Sequence, residues 1–336
     1  MKICIYGAGA IGGFLGAELA GTGPEVSLVA RGPHLQAMRE RGLTLLRPGT
    51  DGEQRKTVRV TCTDDPRTLG HQDFVIVTLK AHSVLSVLDH LQPLLGRDTA
   101  VVTAQNGILW WYFHALPGPH LNHHLQSADP GGRIWRAVGP ERAIGCVVYP
   151  SCEIVEPGVV RHLEGTRLMV GEPDGTKTAR VTALGEALTA AGLKAPVRKS
   201  IRDDIWFKLL GNATFNPVSV LTRATLEQMG SDREVRAVIR RMMTEAVAVA
   251  TALGVSFVMD IEKRIDAAVD VGAHKTSMLQ DFEQGRPLEL DALPGAVSEM
   301  GRLVGVSTPT LDQVLALTRL AAATLVSPQE RPPERP

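Results

Sequence analysis

Lys208 is the only charged residue in the strongly apolar stretch of residues 205–221. Asn212 and Asn216 follow it at steps of four, so on a helix the three polar side chains would share one face. A lysine surrounded by apolar side chains can have a lowered pKa, which suits it to donate a proton to a reacting group. The alternative is that Lys208 reaches solvent while the asparagines cap or bend a helix before Pro217.

A second polar cluster covers residues 275–291. Ser277 carries a hydroxyl that could donate a hydrogen bond to a substrate carboxylate. Glu289 could supply the partner that a buried Lys208 ammonium needs. The alternative is a surface turn in which the acidic side chains of the cluster satisfy helix ends.

Near the start of the chain, glycine recurs with the G-x-G-x-x-G spacing of a nucleotide-binding turn. Residues 2–6 predict a buried strand before the turn, and residues 11–20 predict a helix after it. The first glycine allows the tight turn, the second leaves room for a pyrophosphate, and the third lets the helix lie close to the strand. The helix N-terminus would face the phosphates. The predicted cofactor-binding residues of this turn are Gly7, Ala8, Gly9, Ala10, Ile11 and Gly12.

Arg31 stands at the end of a second predicted strand, residues 26–30, where NAD enzymes carry an acidic residue for the ribose 2′-hydroxyl. A guanidinium at this position favours a 2′-phosphate, so the sequence predicts NADP(H) as the cofactor rather than NAD(H). The alternative is that Arg31 is a solvated surface charge on a nucleotide-binding fold.

Two further apolar runs, residues 73–79 and 100–104, have the composition of strands buried on both faces of a parallel sheet. A predicted helix over residues 84–95 connects them, as in a doubly wound sheet. Lys80 and Asn106 follow these strands, at the edge where open α/β sheets bind ligands. We expect Lys80 to contact a cofactor phosphate and Asn106 to hydrogen-bond the nicotinamide ribose or the substrate. Alternatively, both are ordinary loop residues.

The pattern of elements predicts two domains and a tail. Residues 1–199 are expected to form a Rossmann-type domain of the α/β class, and residues 200–326 an all-helical substrate and catalytic domain. Residues 327–336 are rich in proline and charge and are predicted to be disordered. The first domain should include a hairpin at 43–60 with its turn at 48–52, strands at 143–149, 159–163 and 168–171, and a helix at 178–191. The second should have helices at 201–216, 219–228, 232–253, 258–270 and 291–326.

Residues 110–140 differ in composition from both predicted domains, with three tryptophans and four histidines. We predict a loop insertion that covers part of the ligand crevice. His120, His123 and His124 are close in sequence, but Asp129 is the only carboxylate or thiolate at ligand spacing. We therefore predict no metal site.

The composition argues against several classes of partner. The 336 residues include 36 Lys and Arg and 36 Asp and Glu, a formal net charge of +0, so neither nucleic acid nor an anionic membrane is the expected partner. We expect no signal peptide and no membrane span. The four cysteines form no C-x-x-C pair, which indicates reduced thiols in a cytoplasmic protein.

These segments together resemble the ketopantoate reductase family over almost the whole chain. The resemblance is carried by GAGAIGG at residues 7–13, TLKAH at 78–82, QNG at 105–107, FKLLGNATFNP at 207–217 and SMLQDFEQGRPLELDA at 277–292. The first motif is shared with many dehydrogenases, whereas the last two are specific in combination. The insertion after QNG and the residues around Ser151 depart from the family pattern.

The resemblance implies an NADPH-dependent reduction of a 2-oxo acid, with ketopantoate as the leading candidate substrate. It implies that NADPH is held by residues 7–12, Arg31, Lys80, Asn106 and main-chain groups near Ser151. Lys208 resembles the catalytic lysine, and Glu289 resembles an acid that positions this lysine or binds a substrate hydroxyl. The other residues expected to contact substrate are Asn106, Asn212, Asn216 and Ser277, the last as the carboxylate binder.

Two alternatives to this function stay open. One is the same chemistry on a different 2-oxo acid or ketone, because the insertion borders the substrate side. The other is a non-catalytic sensor that binds NADPH only to report its level. The expected partner is a small-molecule 2-oxo acid, and assembly as a homodimer also stays open.

Overall fold

The structure is a computed structural model that describes residues 1–49, 52–256 and 260–324. It divides into two compact units: Met1–His124 with Gly131–Asp204, and Leu125–Pro130 with Ile205–Pro336. The sequence places the division after residue 199, whereas these units divide after Asp204 and the second also includes Leu125–Pro130. The predicted tail at 327–336, the tip of the hairpin turn at 50–51 and the start of the predicted helix 258–270 lie outside the described residues.

Strands and helices alternate through most of the first unit, and helices make up the second. The strands are, in chain order, β1 (Lys2–Tyr6), β2 (Glu25–Val29), β3 (Leu43–Gly49), β4 (Gly52–Val58), β5 (Thr61–Thr63), β6 (Gln72–Val77), β7 (Leu95–Thr103), β8 (Ala143–Val148), β9 (Ser151–Glu156), β10 (Val159–Glu164) and β11 (Leu168–Gly171). The α-helices are α1 (Ala10–Leu19), α2 (Gly32–Arg41), α3 (Leu88–Leu91), α4 (Arg133–Val138), α5 (Ala179–Ala190), α6 (Ile201–Thr222), α7 (Leu226–Ser231), α8 (Arg233–Ala252), α9 (Ile261–Val269), α10 (Ser277–Glu283), α11 (Ala296–Val304) and α12 (Pro309–Thr324).

The main sheet of the first unit has seven strands in the order β11-β8-β7-β6-β1-β2-β5. Every neighbouring pair is parallel except β11 and β8. Its central strands are buried apolar runs, as expected for a parallel sheet covered on both faces. The chain enters at β1 and winds outward in both directions, so the predicted Rossmann-type sheet is confirmed.

A second sheet, which the sequence analysis did not predict, has four strands in the order β4-β3-β10-β9. The predicted hairpin forms β3 and β4, but β10 pairs in parallel with β3 instead of joining the main sheet. Helix α1 contacts this sheet: a Cβ on Gly13 would lie 2.7 Å from Val160 Cγ2. On α1, the buried carboxylate of Glu18 forms ion pairs with Arg47 and Lys56 of the hairpin.

The predicted helix over residues 84–95 is wrong as a single element. The chain forms a 3-10 turn at Ala81–Val87, the short helix α3, and a second 3-10 turn at Gln92–Leu94. Pro93 explains the end of α3 at Leu91, because its nitrogen has no hydrogen to donate and it fits only in the first turn of a helix.

The aromatic start of the predicted insertion has no regular secondary structure and is buried. Trp111 is fully buried, and its indole N–H donates to Thr103 Oγ1 of β7 at 2.8 Å. The guanidinium of Arg202 donates to the carbonyls of Tyr112 and His114 at 2.8 Å and 2.6 Å. Burial lowers the pKa of Arg202. These aromatic residues therefore pack into the first unit, and coverage of the ligand crevice by residues 110–140 stays a prediction.

The helical unit is confirmed as all-helical over its described residues, but several predicted boundaries are wrong. Helix α6 continues through Pro217 to Thr222 rather than ending at residue 216. The predicted helix 291–326 is divided into a π-helical turn at Asp291–Gly295, α11 and α12, with Gly305 in a left-handed conformation at φ 70°. The predicted polar cluster also contains a helix, α10, which the sequence analysis missed.

Candidate functional site

The predicted cofactor residues of the first unit follow strands that are neighbours in the main sheet. Gly7 follows β1, Arg31 follows β2, Lys80 follows β6 and Asn106 follows β7. Because β7, β6, β1 and β2 are adjacent and parallel, these positions lie along one edge of the sheet. The order in which strands are added to the sheet reverses between β1 and β6, which is the point where open α/β sheets bind nucleotides. Ser151 comes shortly after β8, the next strand along this edge.

Backbone hydrogen bonds fix the glycine turn to the neighbouring strand ends. The amides of Gly7 and Ala8 both donate to the carbonyl of Val29, each at 3.1 Å. The amide of Thr78 donates to the carbonyl of Tyr6, also at 3.1 Å. The turn is thus attached on both sides, which preorganises it for a ligand.

The strand ends that carry Lys80 and Asn106 are joined in the same way. The amide of Ala104 donates to the carbonyl of Val77 at 3.0 Å. The side-chain amide of Gln105 donates to the carbonyl of Leu79 at 2.7 Å. Gln105 therefore joins the loop after β7 to the loop after β6, a role that the sequence alone did not indicate. Lys80 and Asn106 are both half-buried.

The geometry of the glycine turn fits a dinucleotide. Gly7 has φ 108°, which favours glycine, and its carbonyl accepts a hydrogen bond from Thr78 Oγ1 at 2.5 Å. A Cβ on Gly12 would lie only 2.0 Å from that carbonyl oxygen. A Cβ on Gly9, in contrast, would meet no heavy atom of the described residues within 4 Å. Gly12 is required for packing, whereas exposed Gly9 leaves open space before α1, where a pyrophosphate could approach.

Burial shifts the pKa of two side chains close to Arg31 in the chain or in space, Tyr6 and His34. Arg31 is exposed at the N-terminal boundary of α2. Burial raises the pKa of Tyr6 to about 12, and the nearby charge of Arg31 opposes this shift. His34 Nδ1 accepts a hydrogen bond from the amide of Gly158 at 3.0 Å, and burial lowers its pKa. This imidazole links α2 to the second sheet, a long-range contact that no local pattern indicates.

In the second unit, α6 carries the predicted catalytic lysine. Lys208 and Asn212 are half-buried, whereas Asn216 is 4% exposed. Their spacing of four residues within one continuous helix places them on one face. Pro217 does not end the helix, so the alternative in which the asparagines cap a helix end before it is wrong.

Arg264 of α9 is a cation beside this helix that the sequence analysis missed. A Cβ on Gly211 would lie 2.5 Å from Arg264 Nη2, so the missing side chain at Gly211 lets the guanidinium approach α6. Arg264 Cζ lies 5.5 Å from the centre of the Phe207 ring. A glycine inside a helix is unfavourable in itself, and Gly211 was the signal that could have indicated this contact.

Ser277 is the first residue of α10 and is exposed, so its hydroxyl lies at a helix N-terminus. Thr276 caps this helix by accepting a hydrogen bond from the amide of Leu279 at 3.1 Å. Asp281 lies within α10, is buried and forms an ion pair with Arg286 at 2.7 Å.

Glu289 is 6% exposed and precedes the π-helical turn at Asp291–Gly295. Its carbonyl accepts a hydrogen bond from the amide of Leu293 at 3.2 Å. Asp291, the other acid of this segment, forms an ion pair with Arg319 of α12 at 2.6 Å. A buried carboxylate at Glu289 fits the predicted positioning role, which stays a prediction.

The described residues contain no group of three or more His, Cys, Asp or Glu side chains that could hold a metal ion. In the predicted insertion, His120 and His123 pack edge-on against the Phe113 ring, and His124 lies 4.5 Å from the Trp135 ring. These histidines therefore contribute aromatic contacts. No helix in the described part of the chain has the length and apolar character needed to cross a membrane.

Two family models match this chain. The model described as ketopantoate reductase PanE/ApbA covers residues 3–175, and the C-terminal model of the same family covers residues 200–322. Together they cover both the unit with the glycine turn and the unit with Lys208.

Similar proteins extend over nearly the full length. A curated 2-dehydropantoate 2-reductase from Mesorhizobium japonicum is 52% identical, over 96% of this chain and 98% of its own. A Ralstonia solanacearum crystal structure assigned as a ketopantoate reductase has 44% identity and a TM-score of 0.89, over 96% and 98% of the two chains. A Geobacter metallireducens 2-dehydropantoate 2-reductase structure has 27% identity and a TM-score of 0.82, over 96% and 100%.

These matches agree with the geometry of the glycine turn and confirm the predicted resemblance. They also confirm the prediction of an NADP-dependent oxidoreductase, because NADPH use is a general property of this family. The roles of individual residues stay predictions. The chain belongs to the ketopantoate reductase family.

Proposed function

We propose that this protein reduces ketopantoate to pantoate with NADPH. Two features together carry the proposal. One unit has a glycine turn whose geometry fits a dinucleotide, and α6 of the other unit carries Lys208, Asn212 and Asn216 on one face. The 52% identical relative is named for this reaction, which supports ketopantoate over other 2-oxo acids. When bound, NADPH supplies the hydride that reduces the C2 carbonyl carbon.

Lys208 is the proposed general acid. Its ammonium donates a hydrogen bond to the carbonyl oxygen, stabilises the negative charge that develops there, and transfers a proton to give the hydroxyl of the product. Glu289 is proposed to position this ammonium or to accept a hydrogen bond from a substrate hydroxyl. Its burial supports a role in which a fixed carboxylate orients a cation.

Asn212, Asn216 and Ser277 are proposed to hold the substrate. Amide and hydroxyl groups can donate hydrogen bonds to the carboxylate and accept them from the hydroxyl of a 2-oxo acid. At the cofactor end, Arg31 is proposed to bind the 2′-phosphate and Lys80 a second phosphate. Asn106 is proposed to contact the nicotinamide ribose or the substrate.

The predicted cytoplasmic location is supported by the state of the cysteines. All four lie in the described ranges and are free thiols. Burial raises the pKa of Cys4 to about 12, so this thiol stays protonated and unreactive. Free thiols are typical of a reducing compartment. Assembly as a homodimer remains a prediction from the sequence.

A lysine substitution tests the mechanism. We expect Lys208→Ala to lower kcat about 10²- to 10⁴-fold, the usual contribution of a general acid, while NADPH binding is retained. Lys263→Ala, which removes an exposed lysine of α9, is the matched control and should leave turnover unchanged.

Assays of several 2-oxo acids with NADPH then test the substrate. Ketopantoate should rank first in kcat/KM, and a low rank would favour the alternative of another 2-oxo acid or ketone. If Lys208→Ala changed no measurable activity, the non-catalytic sensor would be the better explanation. The two results separate an error in the substrate from an error in the reaction class.

A further inference from the structure

Two buried hydroxyl groups connect the helix of Lys208 to the helix of Ser277. Ser219 Oγ of α6 lies 2.6 Å from Thr276 Oγ1, the group that caps α10. Ser219 is 0% exposed and Thr276 is 5% exposed, so solvent cannot replace either partner. Buried hydroxyls of this kind need their hydrogen bonds satisfied within the protein.

The direction of this bond follows from the neighbouring bonds. Ser219 Oγ lies 2.7 Å from the carbonyl oxygen of Asn216, which can only accept a hydrogen bond. A serine hydroxyl has a single proton, so Ser219 donates it to Asn216. Thr276 must therefore be the donor to Ser219. Thr276 Oγ1 in turn accepts from the amide of Leu279.

The four groups form one directed series of hydrogen bonds, which we call the hydroxyl relay: Leu279 N–H, Thr276 Oγ1–H, Ser219 Oγ–H and the carbonyl of Asn216. Each hydroxyl donates once and accepts once. The hydrogen bonds in such a series polarise one another, and breaking one of them leaves a buried polar group unsatisfied. The relay therefore favours one arrangement of α10 against α6.

We propose that Ser219 and Thr276 are positioning residues that set Ser277 relative to Asn216, so that both contact the same substrate. Neither hydroxyl needs to touch the substrate. Ser277 follows Thr276 directly in the chain, and Asn216 supplies the last acceptor of the relay. This proposal rests on the proposed substrate-binding roles of Ser277 and Asn216.

A second contact holds α10 near α6 without the relay. The guanidinium carbon of Arg223, which directly follows α6, lies 3.8 Å from the centre of the Phe282 ring of α10. Loss of the relay should therefore change the relative orientation of the two helices rather than detach α10. The expected effect is on substrate binding more than on folding.

The test compares two buried hydroxyls of α6. Ser219→Ala removes the middle of the relay and should raise KM for ketopantoate about tenfold, the size expected for one unsatisfied buried group, with kcat nearly unchanged. Thr214→Val is the matched control, because Thr214 is 0% exposed and, within the described ranges, its hydroxyl bonds only to carbonyls of its own helix. Its KM should equal that of the wild type.

Substitutions at Thr276 give a second reading. Thr276→Val removes both the helix cap and the relay, whereas Thr276→Ser keeps both hydroxyl functions and should restore most of the lost substrate affinity. In the Ser219→Ala, Thr276→Val double variant, KM should rise by less than the product of the two single effects, because both changes break one series. A multiplicative effect would overturn the relay.

Hydrogen exchange separates failure of the relay from failure of the proposed function. Ser219→Ala should speed exchange of the Leu279 amide, with or without turnover, because Thr276 loses its acceptor. An unchanged Leu279 amide, or a KM for Thr214→Val that rises as much as that of Ser219→Ala, would overturn the proposal. A wild-type protein that reduces no 2-oxo acid would instead overturn the proposed function.

Discussion

The glycine turn offers a sharp test because two of its glycines should respond differently to the same added methyl group. Gly12→Ala would place Cβ 2.0 Å from the carbonyl oxygen of Gly7 and 2.7 Å from Thr78 Oγ1. Real Cβ contacts are essentially never shorter than 3.0 Å, so the turn and α1 must separate by about 1 Å. The first obstacle is backbone, which cannot rotate away as a side chain can.

The size of this effect follows from the cost of overpacking, which is typically about 1–3 kcal/mol. For a unit of this size, each kcal/mol lowers Tm by roughly 2–4 °C, so Gly12→Ala should lower Tm by about 2–12 °C. The same movement displaces the start of α1 from the phosphate position. A loss of about 1.4 kcal/mol in binding free energy lowers affinity tenfold. If the displaced helix start loses that much of its interaction with the phosphates, NADPH affinity should fall about tenfold or more.

Gly9→Ala should separate affinity from stability. Gly9 has φ −68°, which alanine adopts readily, and its Cβ would meet no described heavy atom within 4 Å. Gly9 occupies the N-cap of α1, where replacing glycine by alanine costs roughly 0.5–1 kcal/mol. The methyl group would nevertheless occupy the space proposed for the pyrophosphate, so affinity should fall about tenfold while Tm falls by only about 1–4 °C.

Thermal unfolding of the ligand-free variants and fluorescence titration with NADPH measure both quantities. The reasoning is refuted if Gly12→Ala unfolds at the wild-type temperature. It is equally refuted if Gly9→Ala binds NADPH as tightly as the wild type, because the open space would then not be the phosphate site.

Two further predictions concern the neighbouring α2. Burial lowers the pKa of His34 below its ordinary 6.5, so protonation favours the unfolded chain. The neutral imidazole therefore contributes its full stability above pH 6.5. This contribution is lost as pH falls towards the folded-state pKa. In urea unfolding across pH 5–7, His34→Asn, which keeps an acceptor for Gly158, should therefore show a shallower loss of stability than the wild type, and identical slopes would contradict this. Arg31→Ala should weaken NADPH binding about 10- to 100-fold by removing charge-assisted hydrogen bonds and leave NADH binding nearly unchanged, so an equal loss for both cofactors would show that Arg31 does not bind the 2′-phosphate.

The parts of the fold that were predictable are those with a local pattern. The strand ending at Gly7, the helix after it and the buried run of β6 have hydrophobic periodicity and punctuation that act over a few residues. The second sheet was missed because β10 pairs with β3, more than a hundred residues earlier, and no local signal encodes that choice. The break at Gly305 was also missed, although glycine at a helix end is a recognised signal.

The candidate site shows the same division. Lys208 stood out because it is a lone charge in an apolar stretch, and the strand ends indicated Lys80 and Asn106. Ser219 gave no such indication, because a serine near a proline in a helix has many ordinary explanations and its partner is 57 positions away. Positioning groups of this kind become visible only when tertiary contacts are known.

The buried carboxylate of Glu18 joins α1, the helix after the glycine turn, to the hairpin of β3 and β4, and this contact constrains protein engineering. Its countercharges, Arg47 and Lys56, both come from β3 and β4, and the Lys56 ammonium also donates to the carbonyl of Ala17 at 2.7 Å. Shortening the hairpin would leave the buried Glu18 carboxylate without its countercharges. Chimaeras should therefore exchange residues 10–58 together as one unit.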